Sequence, residues 1–255
     1  MRKIFWLGYH TAIEILRQRI LYTAILFGLL LIAVGSALDT AAPGQSGMVV
    51  LDVGLGAINL FGVLIAIVMG VNLLFQELDR KTVYTLLAKP ISRTQFVFGK
   101  YLGLFGAILA VLGAMLFFFY LAILWAEAIF PSLAWMALWT IVLELALVSA
   151  IAMVFSAFST PYLSGLFTLG IWAVGCLSNE IRNYQAIKKI QAYEGFIEVL
   201  FYFIPNFSSL NLKDRVPYNL PPPPEFLWQA TLYAALYSAA LLMLAVFVFQ
   251  RRDFK

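Results

Sequence analysis

Residues 53–75 read VGLGAINLFGVLIAIVMGVNLLF, and residues 76–100 read QELDRKTVYTLLAKPISRTQFVFGK. The first stretch has no charged residue, whereas the second is rich in acidic and basic side chains. The hydrocarbon core of a bilayer is about 30 Å thick, so a helix needs roughly 20 apolar residues to cross it. Residues 53–75 meet this length, and the charged stretch that follows belongs in water at the membrane surface. This boundary predicts a membrane-spanning helix that ends in a charged connection.

The rest of the chain repeats this alternation of apolar runs and shorter polar connections. Of the 255 residues, 63% are apolar and 12% are charged, compared with about 45–50% and 25% in soluble domains. About six runs are long enough to be spans. They are Ile20–Leu38, Val53–Phe75, Tyr101–Trp125, Leu133–Phe158, Pro161–Leu177 and Phe226–Phe249. We therefore expect an all-α polytopic membrane protein in which residues 1–255 form a single transmembrane domain.

The distribution of basic residues predicts the orientation of the spans, because Lys and Arg favour the cytoplasmic ends. Most of the 17 Lys and Arg residues lie in the N-terminal segment, the second-to-third connection and the C-terminal tail. The first connection on the other side contains Asp39 and Asp52 but no basic residue. Both termini are therefore predicted to be cytoplasmic, in a multi-pass protein of the plasma membrane, which is the inner membrane in bacteria.

Residues 1–19 are predicted to form an amphipathic helix that lies in the cytoplasmic membrane surface. Apolar side chains recur at helical spacing on one face, and polar side chains line another. The apolar row is Trp6, Tyr9, Ile13, Leu16 and Ile20, and the polar row is Lys3, His10, Glu14 and Arg17.

Residues 178–225 form a large loop that is predicted on the outer side. The segment from Ile181 to Tyr193 has the spacing of an amphipathic interfacial helix. The run from Phe196 to Ile204 is too short to span and is interpreted as interfacial or re-entrant. Pro221–Pro224 form a stiff polyproline spacer before the last span.

The connection between the second and third spans, residues 76–99, is expected to be a broken helix. Pro90 cannot continue a helix, and it pushes Lys89 toward an extended conformation. Ser92 and Gln95 have the spacing of a capping box, which starts the next helix. The pattern predicts two short helices that meet at a fixed elbow.

This connection resembles the corresponding segment of the ABC type-2 transporter permeases. That family joins its second and third spans through an acidic residue, a basic residue with Thr, a Leu-Leu step, a Pro, an Arg and a Gly-Lys pair. The matching residues here are Glu77, Lys81-Thr82, Leu86-Leu87, Pro90, Arg93 and Gly99-Lys100. The resemblance extends to the N-terminal helix, the six-span plan, Ile204-Pro205-Asn206 and the tail Arg251-Arg252-Asp253-Phe254, and so covers nearly the whole chain.

The resemblance implies a second copy of this permease, or a related permease, docked with it on two copies of a cytoplasmic ABC ATPase subunit. ATP and Mg²⁺ would bind to that partner, and this chain would bind no cofactor. Residues 76–99 would be the coupling segment, through which nucleotide-driven movement reaches the spans. The residues expected to couple to the ATPase are Glu77, Asp79, Arg80, Lys81, Thr82, Lys89, Pro90, Arg93 and Lys100. The simpler alternative is a charged loop that only fixes the topology.

Three polar residues inside predicted spans are candidates for a functional role. Glu144 lies near the middle of the fourth span, where an ionised carboxylate costs several kcal/mol unless it is paired. It is either a substrate or proton-pathway residue, or a protonated or hydrogen-bonded carboxyl group at a helix or dimer contact, for example to Thr or Ser. Asn59 and Asn72 in the second span are more simply explained as interhelical hydrogen-bonding residues.

The sequence gives little support for catalysis, metal binding or nucleic acid binding. One cysteine, Cys176, and one histidine, His10, leave few ligands for metal or thiol chemistry. Gly99-Lys100 lacks the earlier glycine and the following Ser or Thr of a phosphate-binding loop. The basic residues do not form one polar surface that could follow nucleic acid phosphates. An intramembrane enzyme is accordingly the least favoured class.

Two functions remain open from the sequence. The leading hypothesis is an exporter permease that moves an amphiphile, a drug, a polymer or an ion. The alternative is a membrane subunit that transmits ATPase motion to an envelope protein without moving a solute. The loop 178–225 is the segment large enough to bind such a partner.

Overall fold

A computed structural model of the protein describes residues 2–17, 26–28, 30, 46–79, 92–125, 130–183 and 204–251. Its helices are α1 (Arg2–Ile15), α2 (Ser46–Asp79), α3 (Arg93–Trp125), α4 (Ser132–Ser156), α5 (Pro161–Cys176), α6 (Ser178–Asn183) and α7 (Phe226–Arg251). Two short 3-10 turns, Ser208–Leu210 and Lys213–Arg215, lie between α6 and α7. The described part of the chain has no strand, in agreement with the predicted all-α class.

Four of the described helices, α2, α3, α4 and α7, are long and apolar enough to cross a membrane. α5 is a shorter apolar helix of 16 residues. These five helices match the predicted second to sixth spans. The predicted first span, Ile20–Leu38, lies outside the described residues except for 26–28 and 30, which are helical. A multi-pass membrane protein is therefore supported, and the total of about six spans stays a prediction.

α2 and α3 extend well beyond the hydrocarbon core. They contain 34 and 33 residues, which corresponds to lengths of about 50 Å at 1.5 Å per residue. α2 continues through Asp79, and α3 runs without a break from Arg93 into the predicted third span. The prediction of a separate short helix after Pro90 is therefore wrong, because no proline interrupts α3 between Arg93 and Trp125. The predicted elbow at Pro90 lies outside the described residues. The end of the bundle at which α2 ends and α3 begins is the coupling end, and the opposite end is the distal end.

α4 is the most buried of the four spans and contacts α2, α3, α5 and α7. Its neighbour α2 approaches other helices closely where it carries glycine. A Cβ atom added at Gly70 would lie 2.8 Å from the Cβ atom of Ala152 on α4, and one at Gly54 would overlap the ring of Phe119 on α3. Small residues allow such close approach between membrane helices. These two glycines therefore serve contacts within the chain.

Exposed tryptophans mark the membrane boundary at the distal end. Trp125 ends α3, Trp135 lies in the first turn of α4, and Trp228 lies in the first turn of α7. Each of the three is at least 66% exposed. Tryptophan is enriched at the level of the lipid headgroups. The hydrocarbon core therefore begins just below this ring of side chains.

α1 packs against the beginning of α3. Gly8 lies against Gly103, and both Gly8 and Thr11 are buried, so the two backbones approach closely. Trp6 and Tyr9, from the predicted apolar row, remain 55% and 53% exposed. The helix therefore buries a face of small residues against the bundle and leaves its aromatic side chains uncovered. Its predicted position in the cytoplasmic membrane surface stays a prediction.

The chain after Ile204 folds back onto the distal ends of the helices. Asn206 connects this part of the chain to α6 and α7. Its Oδ1 accepts a 2.8 Å hydrogen bond from Ser178 of α6, and its backbone N–H donates a 2.9 Å hydrogen bond to the Tyr233 hydroxyl of α7. Gly175 near the end of α5 leaves room for the neighbouring Phe207, whose ring would lie 2.5 Å from an added Cβ atom. Residues 204–216 are named the distal segment.

The predicted organisation of the loop 178–225 is only partly covered by the described residues. The predicted amphipathic helix Ile181–Tyr193 lies outside them except for residues 181–183, which end α6. The predicted re-entrant run Phe196–Ile204 lies outside them except for Ile204. The distal segment itself, which had been included in an outer loop, is packed against α2 and α4.

Candidate functional site

A buried carboxyl group lies in the middle of the bundle. Glu144 is the central residue of the 25-residue helix α4 and is 4% exposed. It lies nine residues beyond Trp135, or about 13 Å from the distal boundary at 1.5 Å per residue. This depth is close to the middle of a hydrocarbon core about 30 Å thick. A polar group at this level requires partners from the protein.

Both oxygens of Glu144 accept hydrogen bonds from neighbouring helices. Nδ2 of Asn59 on α2 donates to Oε2 over 2.6 Å, and Nε1 of Trp172 on α5 donates to Oε1 over 2.7 Å. The carboxyl group thus joins α2, α4 and α5 at one level of the membrane. Both buried oxygens therefore have a hydrogen-bond partner from the protein.

Lys213 of the distal segment contacts the same asparagine, Asn59, through the amide atom that does not face Glu144. Its Nζ donates to Oδ1 of Asn59 over 3.2 Å. The amide of Asn59 therefore turns its donor toward the carboxyl group of Glu144 and its acceptor toward the ammonium group, which is the orientation that both groups require. Asn59, Glu144, Trp172 and Lys213 are named the polar cluster.

The distal segment brings Lys213 to this depth because its apolar side chains pack into the bundle. Four of them are no more than 2% exposed: Phe207, Leu210, Leu212 and Val216. The long apolar stem of a lysine lets its charge reach a polar partner from such a position. The packing of these apolar side chains therefore places the charged end of Lys213 inside the bundle.

The sequence predicted part of this cluster. Glu144 and Asn59 are brought together, and Asn59 forms the interhelical bond that was expected of it. Asn72 instead donates over 2.8 Å to the carbonyl of Val68 in its own helix. Trp172 and Lys213 were not predicted as site residues. The sequence feature that could have indicated Lys213 is its position among apolar residues in a loop that was expected to be polar. These residues are Leu210, Leu212 and Val216.

At the coupling end, the predicted capping box is confirmed. The backbone N–H of Gln95 donates to Oγ of Ser92 over 3.2 Å, and the backbone N–H of Ser92 donates to Oε1 of Gln95 over 3.3 Å. These reciprocal bonds satisfy N–H groups that have no partner inside the helix. The first turn of α3 is therefore fixed where the coupling segment enters it.

Arg93 connects this first turn to the end of α7. Its Nη1 donates to the carbonyl of Gln250 over 3.0 Å and to that of Phe249 over 3.4 Å. The last carbonyls of a helix lack intrahelical partners and carry the negative end of its dipole, so they favour a cation. The ring of Phe96 also stacks on that of Phe249, with centroids 5.8 Å apart. The beginning of α3 and the end of α7 are thus held together.

The other predicted coupling residues are distributed unevenly. Glu77 and Asp79 lie in the last turn of α2. Lys100 is 4% exposed, and its Nζ lies 6.0 Å from the ring centroid of Phe96, so it belongs to the interior and not to a surface for a partner. Five predicted residues lie outside the described part of the chain: Arg80, Lys81, Thr82, Lys89 and Pro90.

An apolar groove runs between α2 and α5. It encloses about 1000 Å³. Its walls include Val68 of α2, which is 59% exposed, and Leu166 of α5, which is 64% exposed. Asn72 lies at its end near the coupling end of the bundle, and Leu64 and Leu169 line it toward the distal end. The groove can therefore accommodate an apolar chain at the level of the membrane.

Among the residues that the structure describes, no three His, Cys, Asp or Glu side chains lie together in a way that could hold a metal ion. A family model with the description ABC-2 family transporter protein matches residues 17–254. The match begins near the end of α1 and includes every other described helix. No curated protein matches the chain.

Proposed function

Since the chain belongs to the ABC-2 family of transporter proteins, we propose that it is the permease of an exporter, driven by ATP hydrolysis in a separate cytoplasmic ABC ATPase subunit. The assembly contains two ATPase copies, which bind ATP and Mg²⁺, and a second copy of this permease. Residues 76–99 face the ATPase on the cytoplasmic side of the plasma membrane, where both termini lie.

The observation that carries this proposal is the mechanical continuity of the coupling end. α2 is an unbroken helix up to Asp79, inside the coupling segment, and α3 is an unbroken helix from Arg93, inside the same segment. Arg93 also holds the end of α7. A partner that pushes on the coupling segment therefore acts directly on three spanning helices. A segment that served only to fix topology would not need this fixed attachment.

The groove between α2 and α5 supports an amphiphile as the substrate. Its lining is apolar except for a few groups near the coupling end, among them Asn72 and Thr160. An amphiphile could enter from the bilayer, with its hydrocarbon part in the groove and its polar part near those groups. We propose lateral entry at this groove and movement toward the distal side.

A second function is favoured by the distal segment. This segment is packed against α2 and α4 and is linked to the middle of the membrane by Lys213. Movement of the helices would therefore displace the residues that follow it, and Tyr218 and Leu220 there are 72% and 56% exposed. A subunit that transmits ATPase motion to an envelope protein would use this surface.

Affinity purification of the full chain in mild detergent, followed by measurement of ATP hydrolysis, tests the ATPase partnership. We expect an ABC ATPase to copurify with the chain. The variant Glu77→Lys should reach the membrane in normal amount but retain less of the ATPase, because the charge at the end of α2 is reversed. If no ATPase copurifies with the unaltered chain, the proposal is wrong.

Reconstitution of the purified complex in lipid vesicles separates the two functions. A fluorescent amphiphile is placed in the leaflet that faces the ATPase, and its ATP-dependent appearance in the opposite leaflet is measured. We expect the movement to require both ATP and Mg²⁺. Sustained ATP hydrolysis without any such movement would favour the subunit that only transmits motion.

A further inference from the structure

The polar cluster lies at the distal end of the groove. α2 and α5 run in opposite directions, and the groove ends at Leu64 and Leu169. Within about one and a half helical turns beyond these residues, α2 carries Asn59 and α5 carries Trp172. The hydrogen bonds to Glu144 of α4 therefore connect α2 and α5 just beyond the distal end of the groove. The distal segment lies above this point.

We propose that Lys213, Asn59 and Glu144 form a latch that holds the distal segment beyond the distal end of the groove and that opens once in each transport cycle. The inference rests on the proposed function, because it assigns a gate to the same permease. In the closed state, the ammonium group of Lys213 is bound to Asn59 in the middle of the membrane. In the open state, the distal segment lifts and Lys213 returns to water.

The hydrogen bond that breaks on opening is the one from Lys213 to Oδ1 of Asn59, and its loss leaves that buried oxygen without this donor, which favours closing again. Glu144 keeps its bonds from Asn59 and Trp172 when Lys213 leaves, and the ammonium group regains water. Lysine suits this exchange because its charge is a compact group on a flexible stem. The apolar side chains of the segment leave the bundle and meet water when the segment lifts, so their burial opposes opening and keeps it rare without ATP turnover.

The attachment of the distal segment provides a fixed point for this movement. At its beginning, Asn206 is bound to both α6 and α7 through Ser178 and Tyr233. The backbone N–H of Ser209 also donates over 3.0 Å to Oδ1 of Asn206, which fixes the turn of the segment at this point. Lys213 lies several residues further along, and its bond reaches α2. The segment can therefore pivot about Asn206 while its lysine disengages.

The first test measures how often the distal segment opens in the absence of the ATPase. Leu212 is 1% exposed, so a Leu212→Cys reporter in a Cys176→Ala background should react with a water-soluble maleimide only when the segment lifts. Lys213→Met removes the charged donor at nearly constant side-chain volume. A hydrogen bond to a charged group is worth enough to change such a rate by about tenfold, and we expect labelling to accelerate by that factor.

A matched control is available in the same 3-10 turn. Arg215 is exposed and is not part of the polar cluster, so Arg215→Met removes an equal charge without touching the latch, and labelling should stay near the parent rate. Lys213→Arg keeps a cationic donor and should also stay near the parent rate. Parent-like labelling of Lys213→Met, or equal acceleration by Lys213→Met and Arg215→Met, would overturn the latch.

If Lys213→Met fails to fold, Glu144→Gln tests the same contact. It places an amide N–H₂ group against donors that the carboxyl group accepts from, which disturbs the orientation of Asn59 toward the lysine, and we expect labelling of the reporter to accelerate several-fold. The same reporter should also react faster during ATP turnover in the reconstituted complex. A rate that does not change during measured hydrolysis would show that the segment does not open in the cycle. Failure of the ATPase to copurify would refute the proposed function and leave the first measurement intact.

Discussion

Replacement of Arg93 by alanine should uncouple ATP hydrolysis from transport while the bundle remains folded. The side chain bridges the first turn of α3 and the last turn of α7 through one well-placed bond, 3.0 Å to Gln250, and one long bond, 3.4 Å to Phe249. Alanine leaves the last carbonyls of α7 to water and removes a cation from the negative end of the helix dipole. The stacked rings of Phe96 and Phe249 remain, so the helices should stay adjacent but less firmly joined.

The size of the effect follows from the exposure of the contact. A buried hydrogen bond to a charged donor contributes about 1.5–3 kcal/mol, and contacts between exposed charged groups contribute about 1 kcal/mol or less. Arg93 is half-buried and Gln250 is exposed, so we expect a loss of about 1 kcal/mol. This is too small to unfold the bundle. A loss of about 1 kcal/mol corresponds to a factor of roughly five in an equilibrium constant. If the contact between α3 and α7 transmits force, we expect transport per ATP to fall by a factor of about that size.

The assay is the ratio of amphiphile transport to ATP hydrolysis in reconstituted vesicles. Arg93→Lys keeps a positive charge near the carbonyls and should retain most of the ratio. Arg215→Ala removes an arginine at the distal end and should leave the ratio unchanged. An unchanged ratio for Arg93→Ala would refute the internal role. Loss of the ATPase from the Arg93→Ala complex would instead place this residue at the ATPase contact, as the sequence predicted.

Three further substitutions test the fold around the two sites. Glu144→Ala removes the acceptor for two buried donors, each of which costs about 1–3 kcal/mol when left without a partner, so it should destabilise the protein by about 2–6 kcal/mol, measured by thermal unfolding in detergent. Glu144→Gln should cost less, and equal unfolding temperatures for the two variants would contradict the cluster. Gly175→Ala should cost about 1–3 kcal/mol because its Cβ atom would collide with the distal segment. Gly56→Ala is its control, since nothing lies within 4 Å of a Cβ atom there, and similar losses at both positions would argue against the collision. Ser92→Ala should lower stability by about 0.5–2 kcal/mol through loss of the cap on α3, and an unchanged unfolding temperature would show that the cap is dispensable.

The sequence predicted those features that depend on local chemistry. Apolar runs of sufficient length located α2, α3, α4, α5 and α7, because a helix is the way for a single segment to satisfy its backbone in lipid. The capping box was predictable for the same kind of reason, since Ser92 and Gln95 are close in the chain and interact through their own backbone. Glu144 was predictable as a candidate site residue because acidic residues are rare in the middle of a membrane span.

The features that the sequence did not predict depend on contacts between distant residues. Lys213 and Asn59 are separated by 154 positions, and nothing in the local pattern pairs them. The bond from Arg93 to Gln250 spans 157 positions, so a residue expected to face a partner was found to hold an internal helix end. The pattern of charged residues predicts which side chains avoid lipid. It does not predict whether a charged side chain forms its hydrogen bonds with water, with a partner protein or with a distant carbonyl group of the same chain.

α7 is the element that physically joins the two sites. At the coupling end, its last carbonyls receive Arg93. Near the distal end, its Tyr233 hydroxyl accepts the backbone N–H of Asn206, at the fixed point of the distal segment, and its Thr231 accepts a 3.0 Å bond from Trp139 of α4. A helix of 26 residues is about 39 Å long, and its internal hydrogen bonds keep it rigid over that length. Movement of the first turn of α3 therefore has a direct mechanical route to the base of the distal segment, and this route does not pass through the groove.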